Sequence, residues 1–560
     1  MINLDMLTAI GDPVPSDCWG RIVKDVTTGM TMAVRVCARI GCLTLLLAAS
    51  PLRAAGEAPP RRVDITIGPD TTVIDGPVRP DGTIDYAAAL RARVTEGVTP
   101  ENNAATLLLK ALGAAFVPEE KVDEALRLTG LAAMSDEGAV FQPFGEYVAE
   151  HTDLSEDRQA RDQMDQALAG PWTAADLPLV AGWLAANEKP LELVVEASKR
   201  PRYFFLFFPS GDRVLMETLL GGMGVLRDAA KALACRAMLR LQEGDIDGAG
   251  ADLMALHRLG RVMAARSAVG IEYLMGMAID CIALLGDQHM ATSGRLTPAQ
   301  ARRHLQALGG LAAFPDAREW IGVGERFCAL STVMAMTDPV LFPRASAMSD
   351  MGFGDVPQRL HRILLTTGVD WDLVLREVNR QHDRTLAIVA MDDPAAREEA
   401  AKKQEEDLYR RCHHGFKEVL PAFLQQAAES RADRTALRRQ ATEIMTAFAL
   451  VEVGALGRVR NLQDEAAVMY QLTLLALHLE IGRAEHGRYP QRLESLVGRY
   501  VESLPLDPFS GKGLVYRREG EGYVVYSIGP NLRDDGGRRR DEGEDCDDVV
   551  VRAVVPTRTE

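Results

Sequence analysis

The chain has 560 residues, of which 47% are hydrophobic and 25% charged, enough apolar content to bury several cores and too much for a disordered chain. Its formal charge of −16, with no dense Lys/Arg stripe, argues against a nucleic-acid partner, because phosphates need a basic face. Its 8 cysteines show no C-x-x-C spacing, which excludes a disulfide scaffold and a zinc finger.

Met32 opens an export signal: Arg35 and Arg39, the apolar stretch Ile40 to Ala49, then small residues around Ala54 and Ala55. A basic start, an apolar core and a small-residue cleavage site make a secretory signal, and the core is shorter than the roughly 20 residues of a membrane span. Residues 1–55 are therefore read as a non-native start plus signal peptide, with translation beginning at Met30 or Met32. The mature chain is expected to be exported, periplasmic or extracellular in a bacterium, without a transmembrane span. It keeps Cys235, Cys281, Cys328, Cys412 and Cys546, read as buried thiols or one opportunistic pair.

Residues 56–84 are expected to form a linker and a short β hairpin, with Val63 to Ile67 and Thr71 to Ile74 around Gly68-Pro69-Asp70. A helical domain follows over 85–337. Its first two helices flank Gly97-Val98-Thr99-Pro100, with Thr99 as N-cap of the second and Gly113 past its end. Leu177, Val180, Trp183 and Leu184, then Leu191, Val194 and Val195 after Pro190, recur three and four apart and belong to one buried face. The aromatic run Tyr203 to Phe208 is too short for a span and reads as a buried segment. Ala232 to Leu241 and Ile246 to Met263 form two helices around Glu243-Gly244-Asp245; Ile271 to Leu285 is a third, and Thr297-Pro298 starts a fourth. No fixed period continues, so the body is an irregular multi-helix assembly and not a solenoid. Residues 338–357, rich in Pro, Gly, Ser and Met, read as a surface loop. Residues 358–460 continue the helices, with Arg397 to Arg411 read as a solvated charged face.

No HExxH, GxSxG, P-loop or GxGxxG pattern occurs, and Cys412-His413-His414 reads as a helix end. The informative stretch is 461–560. Val468, Leu472, Leu475 and Leu479 form one stripe of a long helix, with Tyr470, Leu474, Leu477 and Ile481 beside it, so that a broad apolar side must be covered. Gly487 ends the helix in a left-handed conformation, a short helix follows at Leu493 to Val497, and strands Leu514 to Arg517 and Gly522 to Ile528 form a hairpin. An acidic loop then carries Asp534, Asp535, Glu544, Asp545, Asp547 and Asp548 among Gly536, Gly537 and Gly543. Calcium takes about six to eight oxygens in irregular geometry, and such acids repel one another without a cation, so ion binding is expected to order the loop. The spacing is not that of an EF-hand.

The runs ALHLEIGRAEHGRYPQRLESLV, LPLDPFSGKGLVYR, GYVVYSIGPNLRDDGG and DEGEDCDDVVV together resemble the globular part of the major pseudopilin of type II secretion systems, over residues 474–551. The resemblance implies a small α+β fold, a long helix ending in a G-x-Y-P turn on an antiparallel sheet, with calcium in the loop after the sheet strand. It also implies that Ile528 offers its carbonyl, that Asn531 stands where the family has an acid, and that Asp545 and Asp547 match the acidic ending. Asp548 adds an acid to that ending, Arg538 to Arg540 enlarge the loop, and an ordinary export signal and a long helical body are expected where the family has a short leader and an anchoring helix. The full expected ligand set is Ile528, Asn531, Asp534, Asp535, Asp545, Asp547 and Asp548. The whole layout is also similar to large exported bacterial proteins of unknown function.

The expectation is thus a mainly α protein with a small C-terminal α+β part, exported and noncatalytic, binding Ca2+ and a protein partner at the cell envelope. Two alternatives are a periplasmic hydrolase with its site between helices under the 338–357 loop, and a component of the type II secretion machinery.

Overall fold

The computed structural model describes residues 63–554 except 136–139, 153–156, 209–214, 216–218, 221, 339–355, 428, 430–432, 452, 454–455 and 544. The expected export signal lies outside the described residues, as does nearly all of the 338–357 loop under which the hydrolase alternative places its site. The chain is mainly helical, with a small three-stranded antiparallel sheet near the C-terminus.

The α-helices of eight residues or more are α1 (Tyr86–Thr95), α2 (Ala104–Leu112), α3 (Val122–Thr129), α4 (Phe144–His151), α5 (Asp157–Leu168), α6 (Pro178–Ala186), α7 (Glu188–Ala197), α8 (Met223–Glu243) and α9 (Ile246–Ala264). They continue as α10 (Gly270–Thr292), α11 (Pro298–Gly309), α12 (Arg326–Met336), α13 (Val356–Thr367), α14 (Trp371–Val389), α15 (Pro394–His414), α16 (Leu420–Ala427), α17 (Arg434–Val451) and α18 (Val459–His486). Their boundaries follow local chemistry. Gly244 turns left-handed at φ 87° to end α8, and the Asp245 side chain accepts the Gly248 N–H to start α9. Thr297 and Gln300 form a reciprocal capping box at α11.

Two expectations near the start change. No strand forms over residues 63–74: the N–H groups of Thr71, Thr72 and Val73 all donate to the Gly68 carbonyl, and the Thr72 hydroxyl accepts from Gly68 N at 3.0 Å. Hydroxyl side chains that bond nearby backbone curl the segment into turns instead of releasing two strands, and the antiparallel bridge falls at Val78 and Ile84. The cap of α2 is Asn103 and not Thr99. Its Oδ1 accepts from Ala105 N at 3.1 Å while its Nδ2 donates to the Phe204 carbonyl at 3.0 Å, a tertiary bond that local pattern cannot supply.

The aromatic run Tyr203 to Phe208, which includes strand β1 (Leu206–Phe207, paired with β2, Leu219–Leu220), is buried throughout and lies between two cores. Tyr203, Phe205 and Phe207 face a core built by α2, α8 to α11 and α18, whereas Phe204, Leu206 and Phe208 face one built by α1, α12, α14 and α17. The alternation is the two-residue period of extended chain, here apolar on both sides because both sides are covered. α18 packs on α10 and α11 with one side and on the C-terminal sheet with the other, which accounts for its broad apolar surface. Residues 461–554 therefore share a core with the helical body.

The charged run on α15 is not wholly solvated. Arg397 is 1% exposed, and its guanidinium bonds Asp464, Asn461 Oδ1 at 3.1 Å and the Met391 carbonyl at 2.8 Å, tying α15 to α18. The five cysteines from Cys235 onward are buried thiols that form no disulfide. Among the described residues no helix is long and apolar enough to cross a membrane.

Candidate metal centre

Strand β4 (Gly522–Ser527) pairs antiparallel with β3 (Val515–Glu519) on one side and β5 (Val549–Ala553) on the other. Tyr523, Val525 and Val551 point into the core shared with α18. Val524, Tyr526 and Val550 form a small cluster on the opposite face, where Gly537 lies against Val524 and Tyr526. Arg517 and Arg552 hold the turn there, donating to the Gly536 and Gly537 carbonyls at 2.8 and 3.1 Å.

The connection from β4 to β5 therefore doubles back, and it sets Asp535 beside Asp547 and Asp548. One carboxylate oxygen from each of these residues lies within 4.8 Å of the others, and all three residues are buried. Asp548 is fixed by Gly537 N at 2.7 Å, and Asp535 Oδ2 accepts from Asp547 N at 3.2 Å. Asn531 N donates to Asp547 Oδ2 at 3.0 Å. Burial pushes the Asp548 carboxyl above the ordinary range, with the Asp535 and Asp534 charges adding to it against two backbone N–H groups. The Asn531 side chain acts oppositely on Asp535, holding its carboxyl below the ordinary range.

The close approach depends on Gly529. Its φ is 68°, and a Cβ there would stand 2.2 Å from the Asp547 carbonyl oxygen. Downstream of the crossing, Leu532 also takes a positive φ of 60°.

The other expected ligands stand elsewhere. Asp534 is exposed and accepts from Tyr526 OH at 2.8 Å and Gly536 N at 2.9 Å. Asp545 is exposed, and its carbonyl accepts from Asn531 Nδ2 at 3.0 Å. The same Asn531 Nδ2 is 3.1 Å from Asp535 Oδ2, while its Oδ1 accepts from Arg533 N at 2.7 Å. Ile528 borders the cluster on the outer sheet face, its N–H 3.4 Å from Asp507 Oδ2. The convergent donors are carboxylate oxygens without sulfur or imidazole, a set that suits a hard cation such as calcium.

Two further polar centres had no place in the sequence reading. Asp507, 1% exposed, accepts from Phe509 N, Ser510 Oγ and Ser527 Oγ at 2.8–3.0 Å, fastening the turn before β3 to the end of β4. Its signal was the Asp-Pro-Phe-Ser-Gly turn chemistry. The second lies in the helical core. His257 of α9 bonds Asp280 Oδ1 at 2.7 Å and Asp287 Oδ2 at 2.8 Å, both from α10, and His304 of α11 reaches Asp287 Oδ1 at 2.7 Å. Arg261 adds a bond to Asp280 at 3.1 Å. Burial alone would push the His257 pKa down, but the two carboxylates outweigh it and raise it to about 9. Burial would likewise raise Asp287, yet His304 and His257 bring it to about 2. Five polar side chains holding three helices together are a structural tie; its signal was two acids seven apart on the buried face of an apolar helix.

Comparison with models of protein families, with curated proteins and with solved structures finds no match to this chain.

Proposed function

We propose that this chain is an exported, noncatalytic protein of the bacterial cell envelope whose helical body presents a calcium-binding, pseudopilin-like C-terminal segment to a protein partner. The observation that supports it is the convergence of the buried Asp535, Asp547 and Asp548 carboxylates. Three acids so placed repel one another, and a divalent cation offsets that repulsion. Asn531 Nδ2, lying between Asp535 and the Asp545 carbonyl, stands where positive charge is favoured.

Because the loop that carries these acids also covers the outer face of β4, ion binding would fix the surface of the sheet available to a partner. Thermal unfolding of the intact chain in calcium, in magnesium and in chelator tests the reading. Calcium at about 100 times its dissociation constant should add roughly 2.7 kcal/mol of stability. A midpoint indifferent to millimolar calcium would remove the metal from the proposal.

A further inference from the structure

The two cores meet a fall in pH differently. In the first, His257 is charged at neutral pH and held between Asp280 and Asp287. In the second, His382 of α14 is 1% exposed, and neither of its ring nitrogens has a hydrogen-bond partner among the described residues. The ring lies where α14 packs on α12. Gly322, one turn before Arg326, rests against Leu386, one turn after His382, and this antiparallel crossing sets the two side chains together. The Arg326 guanidinium, 9% exposed, acts on the ring and bonds Asp383, which is itself exposed.

Among the described residues Arg326 is the charge that bears on the ring. Charges on the other elements around α14 have partners of their own. Glu325, on the turn before α12, accepts from Gly270 N at 3.0 Å. Asp407 and Arg411 of α15 pair with Arg384 and Glu377 of α14. Glu443 of α17 pairs with His414, Arg458 pairs with Glu398, and Asp70 pairs with Arg376. Arg434, Arg438 and Arg439 of α17 are exposed. His361 of α13 is buried at the far end of α12, where its Nε2 donates to the Met336 carbonyl at 2.7 Å.

A proton on His382 would therefore face a guanidinium, while Asp383, the carboxylate next in sequence, is taken by Arg326. Burial, and then the Arg326 charge, bring the His382 pKa down to about 3, and burial brings His361 down to about 4. Once exposed, both titrate at the ordinary 6.5. Because the folded-state values are depressed, the penalty is absent above pH 6.5. Below it, each histidine favours the opened form by about tenfold more for every pH unit, until its folded value is reached. The first core is arranged in reverse: the His257 bonds are complete throughout that range, and Asp287 keeps its charge until pH falls toward about 2.

We propose that His382 is an acid-sensitive latch: a fall in pH sets a second cation beside Arg326 in the contact of α12 with α14 and opens the second core, while the first stays folded. The opened form presents the side of α14 that carries Val374, Leu375 and Val378, which lies in the core at neutral pH.

Hydrogen exchange of the intact chain at pH 7 and pH 4.5, with rates corrected for the intrinsic effect of pH, tests this by mass spectrometry. Amides of α12 and α14 should lose at least about fiftyfold in protection, and those of α9 and α10 less than about threefold. His382→Gln, which cannot take up the proton, should lessen the loss in α12 and α14 by at least about tenfold. Protection of α12 and α14 that is the same at both pH values would overturn the proposal on the unmodified chain alone. So would an equal loss in α9 and α10, or a loss in folded His382→Gln as large as in the parent.

Discussion

Replacing Asp548 by Asn separates two effects that the carboxylate combines. Its pKa is raised by burial and by its acidic neighbours, so protonation favours the folded state and the charged form at neutral pH works against it. In chelator, Asp548→Asn should therefore raise the thermal midpoint while abolishing the upward shift that calcium gives the parent chain; a lower midpoint in chelator would contradict the repulsion described for the cluster. The His257 cluster shifts in the same direction, but there it is the charged form that folding favours. With the folded pKa at about 9 against an ordinary 6.5, its contribution is fully present below pH 6.5 and is lost as pH rises through about 9. The contribution of Asp287, held at about 2, is present above the ordinary carboxylate range and is lost as pH falls through about 2. Calorimetry from pH 5 to pH 10 should show stability declining over the upper window. His257→Gln, which removes the buried cation between Asp280 and Asp287 and leaves them only Arg261 and His304, should cost up to about 3–5 kcal/mol and flatten that decline.

At the scale of elements, the breaks that punctuate helices were legible because they depend on local backbone chemistry. Gly244 with Asp245, Thr297 with Pro298, and Gly487 at φ 75° each act where the sequence places them. Residues 63–74 were misread as strands because alternation was weighed without the hydroxyls of Thr71 and Thr72, which satisfy the backbone locally. The site was legible in part for a related reason. Acid density marked the loop, but Asp534 and Asp545 have the same composition as Asp535 and Asp547 and point elsewhere. Which acids turn inward is set by the path from Gly529 through Leu532 to Gly537, and that path is not encoded in acid spacing. Gly529→Ala tests it directly. A methyl group 2.2 Å from the Asp547 carbonyl would open the crossing, so calcium affinity should fall by at least about tenfold although no ligand is altered. Calcium affinity equal to that of the parent would show that the crossing does not position the acids.

At the scale of the whole molecule, two cores meet along Tyr203 to Phe208, and the boundary that the sequence suggested near residue 461 falls inside one of them, because α18 and the inner face of the sheet pack into the core of the helical body. Both stripes of α18 were visible in the sequence as one broad apolar side. Their division between the sheet and the α10–α11 surface depends on contacts almost 200 residues apart, such as Gln288 Nε2 to Thr473 Oγ1 at 3.2 Å. A fragment of residues 461–560 should consequently lack a cooperative thermal transition, because the α10-facing side of α18 would be exposed; a sharp transition in the fragment would show that the sheet alone suffices to order the helix. For the same reason, calcium binding is best measured on the intact chain. Isothermal titration of that chain with calcium should give one saturable site, with the heat abolished by Asp547→Asn. Heat that is absent, or that persists unchanged in Asp547→Asn, would contradict assignment of a cation to Asp535, Asp547 and Asp548.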